Sequence, residues 1–254
     1  MRDHYVGAMR GVALGICPDV TLADITHEIT PHDVLGGALE LASAYKYFPH
    51  STVFLCVVDP GVGSARRGLA AEAAGYRFVA PDNGLLTMVF KETAPAQVVE
   101  LTDRRYARPT ISRTFEGRDR FAPAAAWLAK GIEVRALGTP VTTWEMLNVP
   151  EPRVSGGQLS GIVLRVDRFG NLVTNIDRRG FDAFAVGGPI DIEVDRHRVA
   201  RIVDTYAEAE SGSACALFGS SDHLEIAVAG GSAAECLGLR RGAPVLLRHL
   251  IPDP

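Results

Sequence analysis

"TVFLCVVDPGVGSARR", residues 52–67, sets an apolar run directly against a turn that carries an acid, Asp59, and two arginines, Arg66 and Arg67. An unbroken apolar run bounded by Pro60 and Gly61 reads as a strand buried on both faces. The turn at the C-terminal end of such a strand is where open α/β sheets place their chemistry. Gly61 and Gly63 invite a phosphate-cradle reading, but no Gly-Lys-Ser/Thr follows and no Gly-x-Gly-x-x-Gly opens a helix. The stretch is neither a P-loop nor a dinucleotide fingerprint.

Working outward, apolar runs alternate with helical patterns. "VTLADI" (20–25) predicts a strand, and "DVLGGALELASAYKYF" (33–48) predicts a helix with Leu35, Leu39, Ala42 and Tyr45 on one face. "PDNGLLTMVF" (81–90) predicts a short helix that Asp82 or Asn83 can cap. "RFAPAAAWLAKG" (120–131) has Pro123 in its first turn and Gly131 beyond its last. The alternation predicts an N-terminal α/β domain, residues 1–150, with a largely parallel sheet flanked by helices. The Pro- and Gly-rich "NVPEPRVSGGQ" (148–158) marks a boundary. Beyond it, "SGIVLRVDRFGNLVTNI", "PIDIEVDRHRVARIV" and "HLEIAVA" predict a smaller C-terminal antiparallel β domain, a sandwich or barrel, over residues 157–254.

The 254 residues carry 26 basic and 30 acidic side chains, with a pI near 6.0. That balance gives no electrostatic footprint for nucleic acid or an anionic membrane, and points to a small molecule or another protein chain as partner. The four cysteines, Cys17, Cys56, Cys215 and Cys236, lie far apart, with no CxxC spacing. They read as reduced thiols of a cytosolic protein. No apolar stretch approaches the roughly 20 residues that span a bilayer, and the N-terminus has no signal-peptide core. A soluble, cytoplasmic protein is expected.

Three clusters could carry chemistry. "THEITPHD" (26–33) offers His27, Glu28, His32 and Asp33, but its histidines are five apart with Pro31 between them, so it reads as a strand end and turn rather than a zinc site. No metal site is assigned. "SRTFEGRDRFAP" (112–123) crowds Glu116, Arg118 and Asp119 around a glycine, and on spacing alone reads as a charged loop capping a helix. In "VDRFGNLVTN" (166–175), Phe169-Gly170-Asn171 interrupts a strand. An aromatic, a glycine and an asparagine there suit a flat heterocycle or an ordinary β-bulge.

Taken in order, "DHYVGAMRGV", "DITHEITPHDV", "YKYFPHSTVFLCVVDPGVGSARR", "APDNGLLT", "TFEGRDRFAP" and "VDRFGNLVTNI" resemble the S-adenosyl-L-methionine (SAM) hydroxide adenosyltransferases, which are SAM hydrolases related to fluorinase and chlorinase. The resemblance runs from residue 2 to about 248. It implies a homotrimer with active sites between the N-terminal domain of one subunit and the C-terminal domain of the next. It also implies attack of water on ribose C5′, releasing adenosine and methionine. By the same matching, Asp59 faces the attacking water with Arg66 as its partner, and Glu116 stands where the family has a histidine. Asp167 matches the group that binds the substrate's amino group, and Phe169 and Asn171 match those that hold adenine. Asp3 and Tyr5 match the methionine end, Ser220 and Ser221 its carboxylate. Ala229 and Gly230 match the adenine side, where backbone contacts remain although Ala229 replaces an asparagine. The family's ribose-gripping acid precedes "RDHYVG", and the sequence as given starts at Met1-Arg2-Asp3 without it.

Departure of a neutral thioether needs no acid, so alignment and removal of one proton suffice, and no metal or redox cofactor is implied. A halogenase is disfavoured by the carboxylate of Asp59, which repels an anion. A non-catalytic SAM- or adenosine-binding protein is the other reading, motivated by Glu116. If Glu116 lies beside Asp59, the two acids share one cation, Arg66, and one titration is expected to move up.

Overall fold

Ala74 and Gly75, at φ 53° and 80°, close a two-residue hairpin in the computed structural model, which describes residues 3–199 and 201–250. The chain divides into two units, Met1–Leu147 and Asn148–Pro254. The first contains α1 (Tyr5–Ile16), α2 (Val34–Ala44), β1 (Val53–Leu55), β2 (Gly68–Ala73), β3 (Tyr76–Pro81), α3 (Thr87–Glu92), β4 (Gln97–Glu100), α4 (Ala122–Ala129) and β5 (Thr139–Pro140). Its sheet has the order β1-β3-β2-β4-β5.

That sheet is mixed, which corrects the expectation of a largely parallel one. Only β1 and β3 run parallel, while β3–β2, β2–β4 and β4–β5 are antiparallel. The cause is local: a two-residue turn with both φ values positive matches strand twist and forces antiparallel pairing, and Ala-Gly lacks the usual Asn-Gly signal. "VTLADI" is the second correction. Residues 20–25 form no strand, having no ladder partner among the described residues. Asp82 and Asn83 do not cap α3, whose N-cap is Leu86. By contrast, α2 is capped by Asp33, which accepts from Gly36 N at 2.9 Å, and α4 carries its proline in the first turn.

Period-2 alternation loads both faces of this sheet. Leu69, Ala71, Phe78 and Ala80 pack with Leu41 of α2, Tyr45 just beyond its end, and Val89 and Phe90 of α3. Ala70, Val79 and Val99 pack with Phe121, Ala124 and Leu128 on the other face. Phe78 is fully buried, stacked on Phe54 at 5.3 Å and edge-on to Tyr45 at 6.0 Å.

The second unit holds β6 (Arg153–Ser155), β7 (Gln158–Val166), β8 (Leu172–Asp177), α5 (Arg178–Ala185), β9 (Ile190–Val194), β10 (His197–Val199), β11 (Ala214–Phe218), β12 (His223–Val228), α6 (Ala233–Leu237) and β13 (Pro244–His249). Its eight strands form one antiparallel, barrel-like sheet of order β10-β9-β13-β7-β8-β12-β11, with β6 on β7. Leu172, Ile176, Leu224, Ile226 and Leu247 fill the interior.

Because Phe78 is fully buried against the Phe54 and Tyr45 rings in the first sheet, Phe78→Ala is expected to destabilise the protein by about 3–5 kcal/mol, measured by denaturant unfolding.

Candidate active site

The turn after β1 and the segment before α4 meet at one guanidinium. Arg66 Nη2 donates to Asp59 Oδ2 and to Glu116 Oε2, both at 2.7 Å. All three side chains are nearly buried, at 7%, 6% and 10% exposure. Arg66 also donates from Nη1 to Arg67 O at 2.5 Å, and its guanidinium carbon lies 5.3 Å from the centre of the Phe121 ring. Two buried polar atoms of this cluster, Asp59 Oδ1 and Arg66 Nε, have no hydrogen-bond partner. Burial raises the Asp59 titration above the ordinary carboxylate range and the Glu116 charge adds to this, while the charge and hydrogen bond of Arg66 and the nearby Gly61 N–H oppose it.

Glycine makes the approach possible. Gly63 sits at φ 79°, and a Cβ on it would lie 2.3 Å from Arg113 O, so the 57–67 turn packs backbone to backbone against the 112–116 segment. Asn83 braces the same turn by donating to Val58 O at 2.8 Å. Arg67 is committed elsewhere, to Asp82 at 2.8 Å and Thr143 O at 2.8 Å.

The segment carrying Glu116 is organised by Asp119, which is fully buried. It accepts from Ser112 N at 2.8 Å and from Arg118 at 2.7 and 2.8 Å. Burial pushes its titration upward, but the Arg118 guanidinium, the Ser112 N–H and the Arg108 charge outweigh that and hold it below the usual range. Asp119 therefore shapes the loop and does not cap the helix. A π-helical turn, Gly117–Phe121, then leads into α4, the kind of local irregularity that re-aims side chains. Within it, Arg120 Nη1 reaches Glu116 Oε1 at 3.4 Å while its Nη2 donates to Leu101 O at 2.6 Å. Glu116 thus sits between two cations, which corrects the expectation that Asp59 and Glu116 share only Arg66.

Tyr5, half-exposed at the start of α1, packs edge-on to Phe115 at 4.9 Å, which brings it beside the Glu116 segment. Asp3 is exposed two residues earlier. The histidine cluster is taken up locally, His27 pairing with Asp24 at 3.0 Å.

In the second unit, the β7–β8 turn is held by Asp167. Its Oδ1 accepts from Phe169 N and Asn171 N, both at 2.8 Å, and its Oδ2 from Asn171 Nδ2 at 3.0 Å. This clasp leaves Phe169 79% exposed while Asn171 is buried. Gly170, at φ 85°, would place a Cβ 2.1 Å from Ser232 Oγ, so the turn lies directly on the start of α6. Ser220 and Ser221 occupy the β11–β12 turn. Ser220 is exposed, while the Ser221 hydroxyl is buried without a partner. Ala229 spends its N–H on Ser213 O at 3.2 Å and its carbonyl on Gly212 N at 2.9 Å. Gly230 follows at φ 76°.

Two neighbours were not singled out by the sequence. Glu225, buried in β12, accepts from Tyr206 OH at 3.0 Å. Burial raises its titration, with Asp167 adding to the shift. Burial and Glu225 together push the Tyr206 phenol up to about 12. An acid between the apolar residues Leu224 and Ile226 was the available signal for Glu225.

The model of the SAM hydroxide adenosyltransferase N-terminal domain matches residues 1–138, and that of the C-terminal domain matches residues 161–246. An (R)-S-adenosyl-L-methionine hydrolase of Thermus thermophilus is 38% identical, over 97% of this chain and 95% of that protein. A fluorinase of an Actinoplanes species is 32% identical, over 73% and 71%. Among solved structures, an uncharacterized conserved protein from Thermotoga maritima superposes with a TM-score of 0.92 at 34% identity, covering 98% of this chain and 97% of that one. With both domain models matched in order and relatives aligned over nearly its whole length, the chain belongs to the SAM hydroxide adenosyltransferase family.

Proposed function

We propose that this protein hydrolyses S-adenosyl-L-methionine to adenosine and L-methionine by attack of water on ribose C5′, the activity named for its Thermus relative. The observation that carries this reading is the Asp59 carboxylate: Oδ2 is pinned by Arg66, and Oδ1 is buried with no hydrogen-bond partner. A buried acceptor left open costs stability unless something donates to it, and a water molecule donating to Oδ1 has its lone pair free for carbon. In the reaction the C5′–O bond forms as the C5′–S bond breaks. The bond pair goes to sulfur, which leaves as the neutral thioether of methionine, and the water proton passes to Asp59. The raised titration of Asp59 makes it a stronger base than an ordinary aspartate. Asp59 and Glu116 together disfavour a halide at the same position.

On this reading Asp167 offers the remaining capacity of Oδ2 to the substrate's amino group, and the partnerless Ser221 hydroxyl, with Ser220, meets its carboxylate. Phe169 stacks on adenine, supported by Asn171 and by the backbone at Gly230. Ala229 contributes less than its position suggests, since its own N–H and carbonyl are engaged. Tyr5 and Asp3 line the methionine end. The site is composite, formed between the first unit of one subunit and the second unit of the next in a homotrimer, and it uses no metal.

Incubation with SAM in ¹⁸O water, with chloride and a chelator present, is expected to yield methionine and adenosine labelled at the 5′-hydroxyl. Unlabelled adenosine, a 5′-chloro nucleoside or the absence of turnover overturns the assignment. Light scattering is expected to give three subunits per particle; a concentration-independent monomer with full activity rules out the shared site.

Because Asp59 binds its proton more tightly in the folded than in the unfolded state, ionising it costs stability at pH 7, and that cost is absent below the unfolded value of about 4. Asp59→Asn is therefore expected to abolish hydrolysis while unfolding at a higher denaturant midpoint than the parent at pH 7, with the advantage shrinking toward pH 4. A lower midpoint at pH 7 identifies Asp59 as a structural residue instead.

A further inference from the structure

Counted as charges, the cluster around Asp59 is balanced: Asp59 and Glu116 against Arg66 and Arg120. The two acids do not have equivalent surroundings. Glu116 receives a guanidinium on each oxygen, Arg66 on Oε2 at 2.7 Å and Arg120 on Oε1 at 3.4 Å. Asp59 receives one, on Oδ2, and its other oxygen is unpartnered. Arg120 is itself anchored by Leu101 O at 2.6 Å and is mostly buried, so its charge is held in place.

Among the described residues, the ion pairs of Glu116 are those with Arg66 and Arg120, and the titratable His4 of the chain before α1 lies against the neighbouring Phe115 ring. The 57–67 turn contributes Asp59 and Arg66, and the π-helical turn contributes Arg120. The α1 residue beside Gly117 is Met9, which is uncharged. Arg118 is turned to Asp119. A carboxylate with a guanidinium on each oxygen has no oxygen left for a donor, whereas the open oxygen of Asp59 is free to take one.

We propose that Arg120 is a positioning residue whose guanidinium keeps Glu116 ionised, so that the proton released by the attacking water goes to Asp59 alone. The catalytic part of this inference rests on the hydrolase reading; the electrostatic part does not. Without Arg120, Asp59 and Glu116 compete for Arg66, like charges share one cation, and a proton is retained by the pair. The sign is fixed: loss of a neighbouring positive charge favours the protonated form, so Glu116 titrates at higher pH and the acid limb of activity moves up with it.

The test uses the full chain with ¹³C-labelled glutamate, following the Glu116 carboxyl resonance, assigned with Glu116→Gln, against pH without substrate. The pH dependence of kcat/KM for SAM is measured alongside. In Arg120→Met the Glu116 titration and the acid limb are expected to rise by about one pH unit or more. Arg120→Lys, which keeps the charge, is expected to leave both close to the parent's. In Glu116→Gln/Arg120→Met the limb is expected to coincide with that of Glu116→Gln, because no second acid competes. Arg120→Gln can still donate to Leu101 O, and it replaces the methionine variant if that fails to fold. An unchanged Glu116 titration in the neutral variants overturns the proposal, as does a limb in the double variant displaced from that of Glu116→Gln. If the parent does not hydrolyse SAM, the functional assignment fails while the carboxyl titration still decides the role of Arg120.

Discussion

The first unit is arranged around a buried guanidinium. Arg66 reaches both Asp59 and Glu116 through a single nitrogen at 2.7 Å, joining a turn after β1 to a segment fifty residues later in the chain. Removing ions from water costs several kcal/mol each, and their attraction offsets that only where geometry is good and the remaining polar atoms are satisfied. Here the backbone meets that demand. Gly63 lets the two segments touch, the Arg67 carbonyl takes one guanidinium nitrogen, and Asp119 folds the loop that brings Glu116 inward. What remains unsatisfied, Asp59 Oδ1 and Arg66 Nε, is concentrated at the place assigned to chemistry. Among the described residues of the first unit these two atoms are the buried side-chain polar atoms without a partner, and such a local deficit is what a site that handles a small polar reactant requires.

The second unit solves a different problem, presenting a flat apolar surface at a turn. An exposed phenylalanine is unfavourable in water, so holding Phe169 outward takes a turn fixed by other contacts. Asp167 fixes the turn by accepting two backbone N–H groups and the Asn171 amide, and Gly170 seats it against Ser232. The carboxylate therefore has a structural duty that limits what else it can do. Most of its hydrogen-bonding capacity is used before any ligand arrives.

How much of this was legible depended on the range of the signal. Asp59, Arg66 and the turn between them lie within one quoted stretch, and the α2 cap at Asp33 and the proline of α4 followed from local rules. The direction of the sheet is hidden from the sequence because it rests on Ala74-Gly75, a weak hairpin signal flanked by strands whose burial resembles that of parallel ones. "VTLADI" has strand composition, but a strand exists only where a neighbour supplies its hydrogen bonds. The Glu225–Tyr206 contact joins β12 to a loop nineteen residues earlier and has no periodic trace. Arg120 was accessible, since Glu116 and Arg120 are four apart in "EGRDR", the spacing at which opposite charges meet on a helix.

That spacing also explains how an acid can stand at the position where the family resemblance implies a histidine. A second carboxylate beside Asp59, placed alone, would be like charge against like charge in a partly dry site, and one of the two would hold a proton at neutral pH. A cation one turn further along the same segment removes the conflict at its source, because it acts on Glu116 from the side away from Arg66. The net charge of the cluster is then zero with both acids ionised. Its polarity is directed toward the open oxygen of Asp59, which is where a neutral water molecule is accommodated more readily than an anion.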